Sequence, residues 1–378
     1  MNNVIKRFFL ISIILMLSMN LSAQKCIVFV GSYNDDKAKE GIYVYELDTV
    51  SGVLTKLSSV RNILNPSFLT LSANGKYLFA CSETQRPNLG SVSGFKFDPK
   101  ADTLTFINSQ KSGGDNPAYV SLHKDAKWIV NANYSGGSVG VHAIAEDGTI
   151  RPGIQVIKYA DSSIVKERQN QSHIHSAVFS PDYKYIFLPD LGSDKIRIYK
   201  FNELKDKPLE EAPVPFVKTV PGSGPRHFIF HPNGKFAYII EEISGTIETF
   251  KYNDGKLDNI QRIATHKEEI KEGYGAADIH ISPDGKFLYA SNRGVENNIA
   301  IFAIKSDGKL AIAGYQSTLG NHPRNFSLDA SGKFLIVANM KSGDLVVFKR
   351  NVKTGLLTKV GVEVKVSSPS CVVIRQYK

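Results

Sequence analysis

Residues 224–242 read GPRHFIFHPNGKFAYIIEE, and the chain repeats this pattern. Each copy has a short apolar run, a turn of the Pro-Asn-Gly-Lys kind and a second apolar run. The lysine after the turn marks six copies, which are 51, 57, 51, 51 and 47 residues apart and lie at Lys76, Lys127, Lys184, Lys235, Lys286 and Lys333. Repetition at this period is typical of β-propellers and solenoids.

Each repeat continues with two more segments that have the pattern of β-strands. After residues 224–242, the segment 246–252 (TIETFKY) alternates apolar and polar residues, a turn follows at 253–256, and 257–264 has the pattern of another strand. Alternation bounded by Asn-Gly or Asp-Gly turns indicates a β-hairpin. Four antiparallel strands per repeat predict a propeller blade, and no helix is expected after the amino-terminal segment.

Seven inner strands can be counted, and the seventh has no partner further along the chain. They are expected at 68–71, 119–122, 177–180, 227–230, 278–281, 325–328 and 371–374. The three missing strands lie near the amino terminus, at 25–32, 41–47 and 53–60. The sequence therefore predicts an all-β, seven-bladed propeller whose closing blade is shared between both ends of the chain. Such closure removes the open sheet edges that favour aggregation.

The first 23 residues are expected to lie outside this fold. Lys6 and Arg7 precede an apolar stretch at 8–19, and small residues at 21–23 offer a cleavage site before Gln24. This order is typical of a secretory signal, and the apolar stretch is short for a membrane span of about 20 residues. We therefore expect a signal peptide at 1–23 and a propeller at 24–378, exported to the periplasm without stable membrane insertion. Without such a signal the protein would be cytoplasmic.

The charge of the chain favours a small anionic ligand. The formal net charge of +10 becomes +8 when Lys6 and Arg7 are removed. A cleft lined with one sign of charge concentrates ions of the opposite sign. Basic residues are not interleaved with aromatic ones, so a nucleic-acid partner is not expected. The sequence does not indicate an oligomeric state.

The three cysteines, Cys26, Cys81 and Cys371, are too few for a disulfide framework. Cys26 and Cys371 fall on neighbouring predicted strands, about four residues out of register, or roughly 13 Å at the rise of a strand. That separation is too long for a disulfide. We expect three buried and unreactive thiols.

Charged and aromatic residues converge at one rim of the predicted ring. The two runs of a repeat form a hairpin, so residues equally far from its turn emerge at the same edge. The entry to the inner strands holds His175, Arg226 and Arg324, and the exit of the next strands holds Glu83, Tyr134, Asp190, Glu242 and Arg293. Solvated strand ends or structural ion pairs would explain any one of these residues. Their concentration on one face favours a ligand site.

Two further histidines lie near this rim. His173 stands two residues before His175, on the same face of the predicted strand, but a zinc site needs at least a third ligand. No metal is therefore expected. His280 lies along an inner strand and can reach the central channel.

Four segments that contain most of these rim residues resemble segments of the lactonase-type seven-bladed propellers. This family includes bacterial 6-phosphogluconolactonases and fungal 3-carboxy-cis,cis-muconate lactonizing enzymes. The resemblance spans 25–378 and is carried by HIHSAVFSPD with PDLGSD (173–194), GSGPRHFIFHPNGKFAYIIEE (222–242), ISPDGKFLYASNRG (281–294) and HPRNFSLDASGKFLIVAN (322–339). It implies that His175, Arg226 and Glu242 are the active-site histidine, arginine and glutamate. Arg293 is the better match to the second arginine, and Arg324 the weaker. The remaining rim and channel residues are expected to contact substrate, namely His173, Glu83, Tyr134, Asp190, His280 and Arg324.

The resemblance implies hydrolysis of a sugar lactone of the 6-phosphogluconolactone type, without a cofactor. Arg226 and Arg293 would stabilise the oxyanion, and either His175 or Glu242 would take the proton from water. His175 is favoured because the arginines lower the pKa of Glu242. The alternatives are a lactonizing cycloisomerase and an exported propeller that binds a protein or glycan without catalysis. The family segment SNRGH reads SNRGVE here, which leaves the choice of lactone open.

Overall fold

The computed structural model describes residues 24–84 and 90–377, which form a seven-bladed β-propeller. Twenty-eight strands form seven four-stranded antiparallel sheets, and these ranges contain no helix, so none that could cross a membrane. The predicted fold class is confirmed. The expected signal peptide at 1–23 lies outside the described residues.

The first six blades each run from an inner strand at the channel to an outer strand. They comprise β4 (Pro66–Leu71), β5 (Tyr77–Ser82), β6 (Ser91–Asp98) and β7 (Thr103–Lys111); β8 (Pro117–Leu122), β9 (Trp128–Asn133), β10 (Ser138–Ile144) and β11 (Ile150–Lys158); β12 (Val178–Phe179), β13 (Tyr185–Asp190), β14 (Lys195–Phe201) and β15 (Leu209–Lys218); β16 (Pro225–Phe230), β17 (Phe236–Glu241), β18 (Thr246–Asn253) and β19 (Lys256–Ala264); β20 (Ala276–Ile281), β21 (Phe287–Asn292), β22 (Asn298–Ile304) and β23 (Leu310–Ser317); β24 (Pro323–Leu328), β25 (Phe334–Asn339), β26 (Asp344–Arg350) and β27 (Leu357–Lys365).

The seventh blade closes the ring with strands from both ends of the chain. Its order is β28 (Pro369–Tyr377), β1 (Lys25–Ser32), β2 (Ile42–Leu47) and β3 (Leu54–Val60). The antiparallel ladder between β28 and β1 runs from the pair Lys25–Tyr377 to the pair Ser32–Pro369. The predicted sharing of the closing blade is therefore confirmed.

Neighbouring blades interlock through an aromatic ring packed against a glycine turn. Phe236 begins β17 and lies under Gly308 in the outer hairpin of the next blade. A Cβ at Gly308 would come within 2.4 Å of that ring, and the glycine has a φ of +87°, so both space and backbone conformation require glycine. The same contact recurs around the ring between Tyr77 and Gly148, Tyr185 and Gly255, Phe287 and Gly355, and Phe334 and Gly52.

A β-bulge sets the direction of the rim side chains. In β16, Pro225 pairs with Glu241 and His227 pairs with Ile240, so Arg226 is the extra residue. The register shifts at the same place in four other blades, leaving out Ser67, Ala118, Arg324 and Ser370. A bulge leaves its extra residue unpaired and re-aims the side chain. In these five blades, the residue predicted at the entry to the inner strand is therefore the bulged residue. The spacing of the repeats alone does not reveal a bulge.

All three cysteines are free and buried. Cys26 pairs with Gln376 and Cys371 with Gly31, so the stagger is five residues (376 − 371) and not the four predicted. The bulge in β28 falls at Ser370, outside the stretch between the two cysteines. The ladder between them is therefore regular, and the predicted stagger is too small by one residue. Burial raises the pKa of Cys26 and of Cys81 to about 12, and raises that of Cys371 as well.

We predict that none of the three thiols reacts in the native protein with a colorimetric thiol reagent at pH 8. Buried thiols with raised pKa values supply no thiolate for the exchange. In concentrated guanidinium chloride all three should react at once. Rapid reaction of any one in the native state would show that its blade opens to solvent.

Candidate active site

Glu242 lies at the centre of the rim, bound by three arginines. Its carboxylate accepts hydrogen bonds from Arg226 Nε at 3.0 Å and from Arg168 Nη2, and it forms an ion pair with Arg293 Nη2 at 2.9 Å. Burial alone would raise the pKa of Glu242, but Arg293, Arg226 and Arg168 hold it well below its usual value. The carboxylate is therefore ionised and a weak base, and its position keeps three guanidinium groups together.

Arg226 is almost completely buried, with 1% of its surface exposed. Its Nη1 donates to the carbonyl oxygen of Ala277 at 2.6 Å and contacts Nε2 of His227 at 3.0 Å. Nη2 forms no hydrogen bond to another residue within 24–84 and 90–377. Burial, with repulsion from Arg293 and Arg324, lowers the pKa of Arg226 to about 9. The group remains charged at neutral pH and has a donor available to a ligand.

His175 is a buried, neutral imidazole beside this cluster. Its backbone N–H donates to the carbonyl oxygen of Pro189 at 2.9 Å, and Ile174 bridges Asp190, so regular pairing is confined to the short β12 and not to the predicted 177–180. The ring Nδ1 is buried and has no partner among the described residues. Burial and the charge of Arg226 hold the pKa of His175 well below its usual value. The imidazole is therefore neutral at neutral pH, and its Nδ1 makes no hydrogen bond to a described residue.

Tyr134 and His173 form a wall next to His175. Their rings stack with centroids 4.3 Å apart, and the ring of Tyr134 meets that of His175 edge-on at 5.3 Å. His173 Nδ1 lies 2.9 Å from the carbonyl oxygen of Tyr134 and, facing an acceptor, donates to it. That nitrogen is thereby unavailable to a metal.

A second acid–arginine pair belongs to the same rim. Arg324 Nη2 lies 3.3 Å from Glu83 Oε2, and the hydroxyl of Tyr33 donates to the same carboxylate oxygen. The guanidinium of Arg324 lies over the Tyr33 ring, 5.2 Å from its centroid. Burial opposes the charge of Arg324, but Tyr33 and Glu83 raise its pKa above the usual value.

Two of the ten expected site residues lie elsewhere. Asp190 is completely buried; one carboxylate oxygen accepts from Arg197 at 2.8 Å and the other from the backbone N–H of His173 at 2.8 Å. The Asp190 carboxylate is therefore occupied within blade 3 and holds the backbone before His175. His280 lies further down the channel, in a separate cavity, and donates to Asp278 at 2.9 Å.

An open pocket of about 540 Å³ adjoins Glu242 and Arg293. It is lined by four residues that the sequence analysis did not identify: Arg168, Lys271, His322 and Lys341. Burial and the charges of Arg293 and Lys341 lower the pKa of His322 to about 3, which indicates a positive potential in the pocket.

The sequence held weak signals for these four residues. Arg168 and Lys271 lie in the charged loops 161–171 and 267–275. These loops are not part of the repeated pattern, so the repeat spacing does not predict where they lie relative to the rim. His322 heads a copy of the repeated pattern, and Lys341 directly follows the exit position of its blade.

A possible metal-binding triad lies outside this rim. Among the described residues, three ligand-type side chains approach within 4.8 Å of one another at His123, Asp125 and Glu203. His123 Nδ1 already contacts Asp125 at 2.9 Å, and nothing else in the structure marks this group as a site.

Comparison with known proteins places the chain in a family. The family profile described as "Lactonase, 7-bladed beta-propeller" matches residues 27–374. The chain is 44% identical to a protein of Formosa agariphila named 6-phosphogluconolactonase, over 91% of this chain and 98% of that one. A protein of the same name from Bacillus subtilis is 34% identical, over 92% and 98%. The solved structure of a periplasmic gluconolactonase from Pseudomonas aeruginosa superposes with a TM-score of 0.88 at 35% identity, covering 94% of this chain and 99% of that one. The chain therefore belongs to the lactonase family of seven-bladed β-propellers.

Proposed function

We propose that this protein hydrolyses a sugar lactone with His175 as the base. The observation that carries the proposal is the neutral, buried imidazole whose Nδ1 has no described partner, next to a guanidinium with a free donor. Family membership and the names of the relatives support the same reaction class. A general base must lie within hydrogen-bond reach of the proton it takes. His175 is the neutral side chain that lies against the Arg226–Glu242 cluster.

The reaction follows from these positions. A water molecule attacks the lactone carbonyl carbon while His175 takes one of its protons. Arg226 Nη2 and the guanidinium of Arg293 stabilise the negative charge that develops on the carbonyl oxygen. The bond between that carbon and the ring oxygen then breaks, and the proton held by His175 passes to the departing alkoxide. The product is an open-chain hydroxy acid, whose carboxyl group ionises in water.

Glu242 has a supporting part in this proposal. Three arginines share its charge, which makes it a poor base and a firm anchor for their guanidinium groups. Removing one member of a buried ion pair typically costs about 3–5 kcal/mol, because the partner charge is left unpaired. The carboxylate thus allows Arg226 and Arg293 to lie side by side despite their mutual repulsion.

We predict that His175→Gln lowers kcat for lactone hydrolysis by about 10²- to 10⁴-fold, the usual contribution of a general base. The matched control is His142→Gln, since His142 is equally buried but bonds only to the backbone of Arg151 in blade 2. The control should retain wild-type kcat. The measurement is the rate of acid release, with thermal unfolding of each variant followed in parallel. A His175→Gln enzyme with unchanged kcat would contradict the assignment.

The pH profile of kcat/KM provides an independent prediction. A base with the ordinary histidine pKa of about 6.5 would be roughly nine-tenths protonated at pH 5.5 and would lose about tenfold in rate. Since the pKa of His175 lies well below that value, it should stay neutral and active as the pH falls. We expect kcat/KM to change less than about twofold between pH 7.5 and 5.5. A tenfold loss over that range would show a base of ordinary pKa.

The pocket beside Glu242 supports a lactone that carries an additional anionic group, such as 6-phospho-glucono-1,5-lactone. Arg168, Arg293, Lys271 and Lys341 outnumber Glu242 and Glu272 along its walls. Lys271 and Lys341 are exposed and form no ion pair with a described residue. A phosphate held by two ammonium groups there would leave the lactone ring next to Arg293. Two relatives named 6-phosphogluconolactonase agree with this choice.

We predict that the double variant Lys271→Gln and Lys341→Gln raises KM for the 6-phosphorylated lactone by about tenfold or more, the scale of two lost charge-assisted contacts. KM for unphosphorylated glucono-1,5-lactone should not change. The control is Lys235→Gln with Lys286→Gln, which removes the same charge from hairpin turns at the opposite face. Equal effects on both substrates would refute phosphate selectivity but leave lactonase activity intact. No hydrolysis of either lactone would refute the proposed function itself.

The proposed location is the periplasm. The charged, apolar and small-residue segments at 1–23 have the order of a secretory signal, and a relative from Pseudomonas aeruginosa is described as periplasmic. The relative from Pseudomonas aeruginosa is named a gluconolactonase, so the comparison of the phosphorylated and the unphosphorylated lactone tests the two substrate classes directly.

A further inference from the structure

A chain of hydrogen bonds leads from Arg226 into the lower part of the channel. Arg226 Nη1 lies 3.0 Å from His227 Nε2, His227 Nδ1 lies 2.7 Å from Asp278 Oδ1, and Asp278 Oδ2 lies 2.9 Å from His280 Nε2. We propose that His227, Asp278 and His280 form a positioning relay that orients the Arg226 guanidinium for catalysis. The role in catalysis rests on the proposed function; the relay itself rests on these contacts alone.

The chemistry of the partners fixes the direction of every bond. A guanidinium can only donate, so His227 Nε2 must accept from Arg226. The proton of the neutral imidazole then resides on Nδ1, which donates to Asp278. His280 donates to the other oxygen of the same carboxylate. This order requires a neutral His227, and burial with the charge of Arg226 lowers its pKa to about 4.

Asp278 is held in place by the following blade. Its Oδ2 also accepts from Asn325 Nδ2 and from the backbone N–H of Phe326 at 3.3 Å. Asn325 Oδ1 in turn accepts from the backbone N–H of Val372 at 2.6 Å, in the closing blade. Burial would raise the pKa of Asp278, but His280 and His227 hold it well below the usual value. Hydrogen bonds through Asp278 and Asn325 thus connect the inner strands of blades 4 to 7, and they fix the orientation of the His227 imidazole.

The relay restricts the rotation of the Arg226 guanidinium. Nε is bound to Glu242, and Nη1 is bound to both Ala277 and His227, which leaves Nη2 as the free donor. Without the acceptor on His227, the guanidinium would keep two of its three hydrogen bonds, those to Glu242 and Ala277, and its orientation would be less restricted. A misplacement of about 1 Å at a transition-state contact can cost roughly 100-fold in rate.

His280 gives this relay its lower end. One-third of its side chain is exposed (33%), in a cavity of about 350 Å³ that the inner strands enclose. The expectation that His280 contacts the lactone is replaced by this positioning role, since the residue lines the lower cavity and not the rim pocket.

Simple packing is the competing explanation for His227. Its ring meets those of Phe68, Tyr119 and His175 edge-on, at centroid distances of 5.9, 5.5 and 5.2 Å. If the ring only filled space, phenylalanine would replace it better than glutamine. If it acts as an acceptor, glutamine would replace it better, because the amide oxygen can take the place of Nε2.

We therefore predict opposite effects for two variants of this residue. His227→Phe should lower kcat by about 100-fold and His227→Gln by less than about 10-fold, with KM nearly unchanged in both, as expected for groups behind a catalytic residue. Thermal unfolding of both variants reports their stability separately. A His227→Phe enzyme as active as His227→Gln would overturn the relay.

Nitrogen-15 NMR of histidine-labelled wild-type protein tests the relay without any substrate. The signal of His227, identified by its loss in His227→Gln, should show a neutral ring with hydrogen on Nδ1 at pH 7. A ring with hydrogen on Nε2, or an imidazolium, would overturn the proposal. This measurement needs no turnover. Absence of lactonase activity would refute the proposed function, whereas the His227 tautomer seen by NMR would still test the hydrogen-bonded relay.

Discussion

The rim depends on the cost of burying charge. Arg226 is 1% exposed and Glu242 6%, and an ion of either kind loses several kcal/mol of hydration when it leaves water. One ion pair does not offset this cost, so each member needs further partners. Glu242 finds them in Arg168 and Arg293, and Arg226 in Ala277 and His227. The arrangement of the remaining rim residues follows from this requirement.

The propeller meets the requirement because it brings a strand end from every blade to one ring. Each inner strand is fixed by a ladder on one side and by apolar contacts to both neighbouring blades, as in the core shared by blades 4 and 5. In five blades a bulge then leaves one residue of the inner strand unpaired and re-aims its side chain. The residue at the bulge is small at Ser67 and Ala118 and is an arginine at Arg226 and Arg324. The ladders are thus common to all seven blades, whereas the residue at the bulge differs between blades.

The sequence predicted what depends on periodicity. The lysine spacing predicts six blades, and the unpaired last inner strand predicts a seventh, which closes through the pairing of β28 with β1. Equal distance from a turn also predicted that Arg226 and Glu242 would meet. Distance from the turn does not predict the direction of a side chain at the end of a strand. For this reason Asp190 was expected at the rim, although its carboxylate binds Arg197.

Loops escaped prediction for a different reason. Arg168 and Lys271 reach the rim from segments without repeated sequence, so no spacing related them to Glu242. Likewise, the contact between His227 and Asp278 joins residues 51 positions apart through side chains alone. Contacts of this kind depend on the packing of neighbouring blades, which the pattern within a single repeat does not contain.

The excess of positive charge at the rim couples ligand binding to the strength of the base. Burial lowers the pKa of His175 in the free protein, and Arg226 and Arg324 lower it further, since they repel a second cation nearby. An anionic lactone would offset part of that repulsion, and its binding would raise the pKa of His175 toward the ordinary value. A base of higher pKa takes a proton from water more readily. The same arginines that attract the substrate would therefore keep the base unprotonated until the substrate arrives, and strengthen it afterwards.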